Sequence, residues 1–302
     1  MRRIALINQK GGVGKTTTAV NLGAALAETG RRVVLFDLDP QANLSIHLGL
    51  QPEPGAATTY RVLLGEAGVA DAVVPTATEG LFVVPTDIDL SGAELELAGA
   101  FGRETILRDA VARWEREHLE AHGEAPADYV LFDCPPSLGL LSVNALAATE
   151  EIFLAVQTQF FALQGLSKLL EIVDLVKSRL HPELEITGIV ACLYDSRQRL
   201  AREVLAEIRK HFPTQVFRST IQTNVKLAEA PSFGQSILQY APGSPGARDY
   251  RALAREVLAQ ERPGEPSAGE SGAEPTVEVT PAKAIASSAV PPVPPGTPAV
   301  DE

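Results

Sequence analysis

Apolar residues along this chain come in short, nearly unbroken runs, separated by stretches where they recur every three or four positions. The runs fall at 3–8, 33–37, 81–85, 129–133, 152–157, 188–194 and 216–221. A short apolar run without polar alternation is the mark of a strand buried on both faces. The helical spacing covers 16–29, 103–122, 140–148, 163–180, 197–212 and 247–261. The two patterns alternate, which predicts an α/β fold: a doubly wound, mostly parallel sheet with helices on both faces. Ligands of such sheets sit at the carboxyl ends of the strands. The last stretch breaks the pattern. Residues 263–302 are rich in Pro, Ala, Ser, Gly and Glu and hold no aromatic residue. They offer too little apolar surface to offset the entropy of ordering, so the chain divides into a folded domain, 1–262, and a disordered acidic tail, 263–302.

Composition narrows the picture. A chain of 302 residues with 45% hydrophobic content is long enough for one large α/β core. The apolar run behind the two N-terminal arginines breaks at Asn8, too early for a signal peptide, and no segment reaches membrane-spanning length. Cys134 and Cys192 do not make a disulfide framework, so reduced thiols and a cytoplasmic protein are expected. The net charge of −12 argues against a surface uniformly coated in basic charge. Yet 197–226 carries seven bases and two acids, while 263–302 carries six acids and one base. A local basic surface on an acidic protein points to a specific anionic partner.

The most informative stretch follows the first apolar run: Gln9-Lys10-Gly11-Gly12-Val13-Gly14-Lys15-Thr16-Thr17. A strand, a glycine-rich turn and a helix start together make a phosphate cradle. The glycines reach backbone angles closed to other residues, and the helix start offers unpaired N–H groups and the positive end of its dipole. Lys15 supplies charge for the outer phosphates, and the Thr16 hydroxyl is placed to ligate Mg²⁺. The second lysine, Lys10, adds repulsion that only further negative charge relieves. A triphosphate provides that charge, in the same subunit or across a dimer.

Two more apolar runs end in acids. Asp37 and Asp39 close the run at 33–37, two apart and so expected on one face, where both carboxylates are read as acting on Mg²⁺ and the attacking water. A helix cap plus a surface acid is the alternative for that pair. Asp133 ends the run at 129–133, the position for an acid holding Mg²⁺ through water opposite Thr16. Cys134 reads as a packing residue.

With these motifs in place, the chain resembles the ParA/Soj-type partition ATPases of the deviant Walker A family, which also includes MinD. The resemblance rests on the phosphate loop, on Asp37-Leu-Asp-Pro-Gln41, and on Asp133-Cys-Pro-Pro-Ser137-Leu-Gly139. It continues through Tyr194-Asp-Ser-Arg197 and from Asn224 to Gly234, and ends at Tyr250. It implies that Lys10 reaches the partner subunit's ATP in a sandwich homodimer, and that Lys15 and Asp39 serve hydrolysis. It implies that Gly11, Gly12, Val13, Gly14, Thr16 and Thr17 cradle ATP·Mg²⁺ with Asp133 as the Walker B acid, and that Gln222 and Asn224 lie at the adenine. The implied activity is slow ATP hydrolysis in a nucleoid-associated protein. The ATP dimer binds double-stranded DNA without sequence preference, through Arg197, Arg199, Arg218 and Lys226, and a ParB-like partner stimulates turnover. Relatives usually carry Ile-Pro-Arg-Asn where this chain has Ile221-Gln222-Thr223-Asn224. Losing that arginine shifts the expected DNA contacts toward Arg197, Arg218 and Lys226. The competing reading, a MinD-like membrane-associated regulator, needs a basic amphipathic C-terminal helix, and here the C-terminal stretch is acidic and proline-rich. If the tail's negative charge competes for the basic face, deleting 263–302 will tighten DNA binding. Affinity unchanged across salt concentrations will refute that competition.

Overall fold

Every predicted strand forms, and all pair in one eight-stranded sheet. The strands are β1 (Arg2–Ile7), β2 (Val33–Asp37), β3 (Val74–Pro75), β4 (Leu81–Val84), β5 (Tyr129–Asp133), β6 (Glu151–Gln157), β7 (Glu185–Tyr194) and β8 (Val216–Gln222). The structure, a computed structural model, describes residues 1–159 and 162–261. The tail predicted at 263–302 therefore lies outside the described residues.

The order is β3-β4-β2-β5-β1-β6-β7-β8. All pairings are parallel except the two-residue β3, which lies antiparallel on β4. This is the doubly wound sheet that the alternation predicts. Its central strands are apolar throughout because helices cover both faces: within β1, Ala5 and Ile7 join one core cluster while Ile4 and Leu6 join the other. The order fixes the site. β1 lies between β5 and β6, and β2 lies on the far side of β5, so the ends of β1, β5 and β2 stand side by side. Register places Leu6 opposite Asp133, and Asp133 opposite Asp37.

The long helices match the expected spans within a few residues: Lys15–Ala27, Ile106–His122, Leu140–Ala147, Ala162–Arg179, Arg199–His211 and Pro245–Ala259. The last begins two residues before its apolar period. The Ser244 hydroxyl caps it by accepting the Ala247 N–H at 3.2 Å, and Pro245 occupies the first turn. Its apolar face, Ala247, Tyr250, Leu253, Ala254 and Val257, is buried in the core. Short helices at Asn43–His47, Thr59–Leu63, Val69–Ala72, Leu90–Glu96, Val225–Glu229 and Ile237–Tyr240 were not legible. They are too short to show a period, and packing rather than propensity holds them.

Gly188 in β7 marks the tightest point of the sheet. A Cβ there would come within 2.5 Å of both the Phe153 and Phe217 rings, which pack edge to face with centroids 5.2 Å apart. Both rings are buried, so one of them must shift within the core. Gly188→Ala is expected to destabilise the fold by about 1–3 kcal/mol, read as a lower urea midpoint at unchanged slope.

Candidate functional site

The loop after β1 is built around two left-handed glycines. Gly12 has φ 72° and Gly14, the residue before the helix Lys15–Ala27, has φ 98°, a region that disfavours side chains. Asn8 ties the loop to β6, donating to the Ala155 carbonyl at 2.6 Å and accepting the Lys10 N–H at 2.9 Å. Val13 is buried and anchors the turn. Beneath Gly14 lies Cys192, whose Cβ would stand 3.4 Å from an added Cβ. Burial pushes that thiol up to about 11, so it packs rather than reacts. The first intrahelical hydrogen bond runs from the Thr18 N–H to the Gly14 carbonyl at 2.9 Å. The N–H groups of Lys15, Thr16 and Thr17 precede it and remain for a ligand.

Gly11, Gly12, Gly14, Lys15, Thr16 and Thr17 share one cleft of about 420 Å³ with Asp39, Gln41, Asn43, His47, Pro136, Leu193 and Pro231. Its volume lies within the range of small-molecule sites. Lys15 is only 6% exposed. Lys10 and Val13 do not line the cleft. Lys10 is exposed, and its ammonium donates to the amide oxygens of Gln157 at 3.1 Å and Gln159 at 2.7 Å beyond β6. No motif in the sequence marks this pair of glutamines.

The acids divide in a way the sequence reading did not foresee. Asp39 lies past the end of β2, lines the cleft, and accepts the Gln41 N–H at 3.0 Å. Asp37 does not line the cleft. Asp37 is fully buried and accepts the Ser45 N–H at 2.9 Å, the Ser45 hydroxyl at 2.7 Å and the Asp39 N–H at 3.2 Å. The strand ends at Asp37, the Leu38 N–H still donates to the Asp133 carbonyl at 3.0 Å, and the chain turns from Pro40. These contacts make Asp37 an internal clamp on the Asp39 loop, beside Asp133. Desolvation outweighs those hydrogen bonds and raises its carboxyl to about 6.

Asp133, at the end of β5, is fully buried, and neither carboxylate oxygen has a hydrogen-bond partner. Burial, followed by the neighbouring Asp37, raises it to about 8, which the nearby Thr16 hydroxyl and Lys15 ammonium oppose only in part. Orphaned acceptors beside a threonine hydroxyl at a phosphate cradle are the donor set of a hard, oxygen-seeking cation, so Thr16 and Asp133 fit Mg²⁺.

The outlying residues are placed less simply. Gln222 and Asn224 do not line the cleft. The Gln222 N–H donates to Asp249 at 3.0 Å, and the Asn224 side chain caps the helix Val225–Glu229 by accepting the Lys226 N–H at 2.8 Å. Three of the four expected DNA contacts are paired within the chain: Arg197 with Asp195, Arg199 with Glu203, and Lys226 with Glu229. Arg218 is exposed on β8 but lies four residues, about 13 Å, back from Gln222 at the carboxyl end of the strand. It stands away from Arg197 and Lys226.

Comparison with known proteins agrees with this geometry. An AAA domain family matches residues 1–186. The chromosome partitioning protein ParA of Caulobacter vibrioides is 48% identical over 262 residues, covering 87% of this chain and 96% of that one. The sporulation initiation inhibitor protein Soj of Bacillus subtilis is 44% identical over 256 residues, covering 85% and 98%. Among solved structures, cobyrinic acid a,c-diamide synthase from Mycobacterium smegmatis with bound ADP and magnesium superposes with a TM-score of 0.72. It is 35% identical and covers 85% of this chain and 94% of its own.

The Asp37 clamp has a pH signature. Its carboxyl ordinarily titrates near 3.8 and in the folded protein near 6, so between those values the folded state binds more protons than the unfolded one. Wild-type stability relative to Asp37→Asn is therefore expected to fall as pH rises from about 4 to about 6, and to level off above. Urea denaturation of both proteins across that range checks it.

Proposed function

The chain belongs to the ParA/Soj family of chromosome-partitioning ATPases, and from that premise we propose that it is an ATP-driven DNA-segregation switch. ATP and Mg²⁺ are its substrate and metal. The loop from Gly11 to Thr17 holds the phosphates, Thr16 and Asp133 hold the metal, and the metal when bound neutralises charge on the outer phosphates. Asp39, at the edge of the cleft, orients the water that attacks the γ-phosphate, giving ADP and phosphate. Asp37 and Ser45 keep the Asp39 loop in place. Gln222 and Asn224 contribute at the adenine end.

The observation that carries the dimeric reading is the contrast between the two loop lysines. Lys15 is buried in the cleft, whereas Lys10 is exposed outside it, and its side-chain partners among the described residues are two neutral amides. A cation so placed serves a second nucleotide better than its own. Two copies closing face to face exchange these lysines across a pair of triphosphates. The dimer then doubles every basic contact, which links affinity for DNA to nucleotide state. A ParB-like protein accelerates hydrolysis and releases the DNA. The membrane alternative finds no support in the last described helix, whose apolar face is buried, and no helix among the described residues is long and apolar enough to cross a membrane.

Retention on duplex DNA tests this reading. Wild type is expected to be retained with ATP and not with ADP or without nucleotide. Lys10→Ala is expected to lose both retention and dimerisation, and Arg197→Ala to lose most retention while still dimerising. Equal retention in all three nucleotide conditions contradicts the switch.

A further inference from the structure

The turn between β7 and the helix Arg199–His211 holds an unusually complete ion pair. The Asp195 carboxylate accepts the Arg197 backbone N–H at 3.0 Å and Nε at 2.9 Å on one oxygen. The other oxygen accepts Arg197 Nη2 at 3.0 Å and Gln198 Nε2 at 3.3 Å. The planar fork of the guanidinium is therefore matched, edge to edge, by the same kind of two-oxygen acceptor that a phosphate presents. Only Ser196 separates the partners, so forming the pair orders little chain. The carboxylate is 20% exposed and the guanidinium 88%, which leaves the arginine open to an incoming anion. This is the clearest case of a pattern along the basic surface. Arg199 pairs with Glu203 at 2.7 Å, Lys210 with Glu207 at 2.8 Å and Lys226 with Glu229 at 2.8 Å.

We propose that Asp195 is an internal phosphate mimic that competes with the DNA backbone for Arg197 and so sets the affinity of the DNA-binding face. The proposal rests on the reading of that face as a DNA surface. An arginine that reaches a DNA phosphate must first leave Asp195, and the carboxylate left behind repels the same phosphate. Both effects weaken binding, and neither depends on base sequence. An exposed pair is a modest competitor, so the brake is small at one site: about two- to fivefold in affinity. A dimer presents two copies, which compounds it to roughly four- to twenty-five-fold. The single chain bears the brake once and the dimer twice, so the acid lowers the affinity of both states. The acid thus tempers the gain in affinity that dimerisation brings and keeps the bound state readily reversible.

Asp195→Asn separates the possibilities. The amide still accepts the Arg197 backbone N–H, so the turn keeps its shape, but it no longer offers a charged fork. DNA affinity is measured by fluorescence anisotropy on a duplex of arbitrary sequence, in ATP and in a hydrolysis-blocked Asp39→Ala background. Low salt keeps weak binders measurable, and light scattering on the same samples confirms the dimer. Asp195→Asn is expected to bind roughly four- to twenty-five-fold tighter, with a steeper loss of affinity as salt rises. In the Arg197→Ala background, Asp195→Asn is expected to gain far less than it does in wild type, because the acid acts mainly through that arginine. Equal or weaker binding by Asp195→Asn overturns the proposal, since Asp195 would then orient Arg197 toward phosphate. An equal gain in the Arg197→Ala background also overturns it, reducing Asp195 to general surface charge. Failure of every form, wild type included, to bind DNA in ATP sinks the underlying DNA reading itself.

Discussion

Two buried ionisable groups at the ends of adjacent strands set the terms for this molecule. Lys15 opens a helix at the end of β1, and Asp133 ends β5 beside it. Both are almost wholly removed from water, and Asp133 has no hydrogen bond to either oxygen. Burying an ionised carboxylate without compensation is unfavourable, and burial accordingly pushes the Asp133 carboxyl up to about 8, toward its protonated form. A triphosphate with its magnesium ion completes the arrangement. It brings negative charge to Lys15 and to the free N–H groups, and positive charge to Asp133. Ligand binding thereby relieves an unfavourable term that the sheet imposes.

The remaining parts of the site serve that pair. Asp37 is spent internally, fixing the turn from which Asp39 reaches the cleft through three hydrogen bonds to Ser45 and Asp39. Leu193, which lines the cleft, adopts a left-handed φ of 50° at the end of β7, two residues before Asp195. The nucleotide cleft and the paired Arg197 are thus joined by one short connection. Lys10 and Arg197 have a common feature. Each is an exposed cation occupied by a partner in its own chain, so each must exchange that partner to act on another molecule. Such exchangeable contacts suit a switch, because neither partner set is strong enough to lock one state.

Much of this was legible from residues alone. The seven apolar runs are strands because central positions of a parallel sheet are buried on both faces, and the loop glycines mark backbone angles that other residues avoid. Less was legible where function depends on who touches whom. Asp37 and Asp39 look equivalent in sequence, and only the end of β2 and the Ser45 contact separate them. Gln157 and Gln159 carry no motif, and they matter because β6 lies beside β1. Along the basic surface, helix spacing allows the Arg199–Glu203 and Lys226–Glu229 pairs, at i,i+4 and i,i+3, whereas the turn that sets Arg197 on Asp195 is visible only in the fold. Arg218 joined that surface in the linear reading and stands about 13 Å down the strand in the fold.

The central claim is that two copies close around two nucleotides, each lending its exposed lysine to the other. Multi-angle light scattering on Asp39→Ala saturated with ATP and Mg²⁺ tests it most directly. The mass of two chains with ATP, and of one chain with ADP, is the predicted result. A single-chain mass in both conditions would contradict the account.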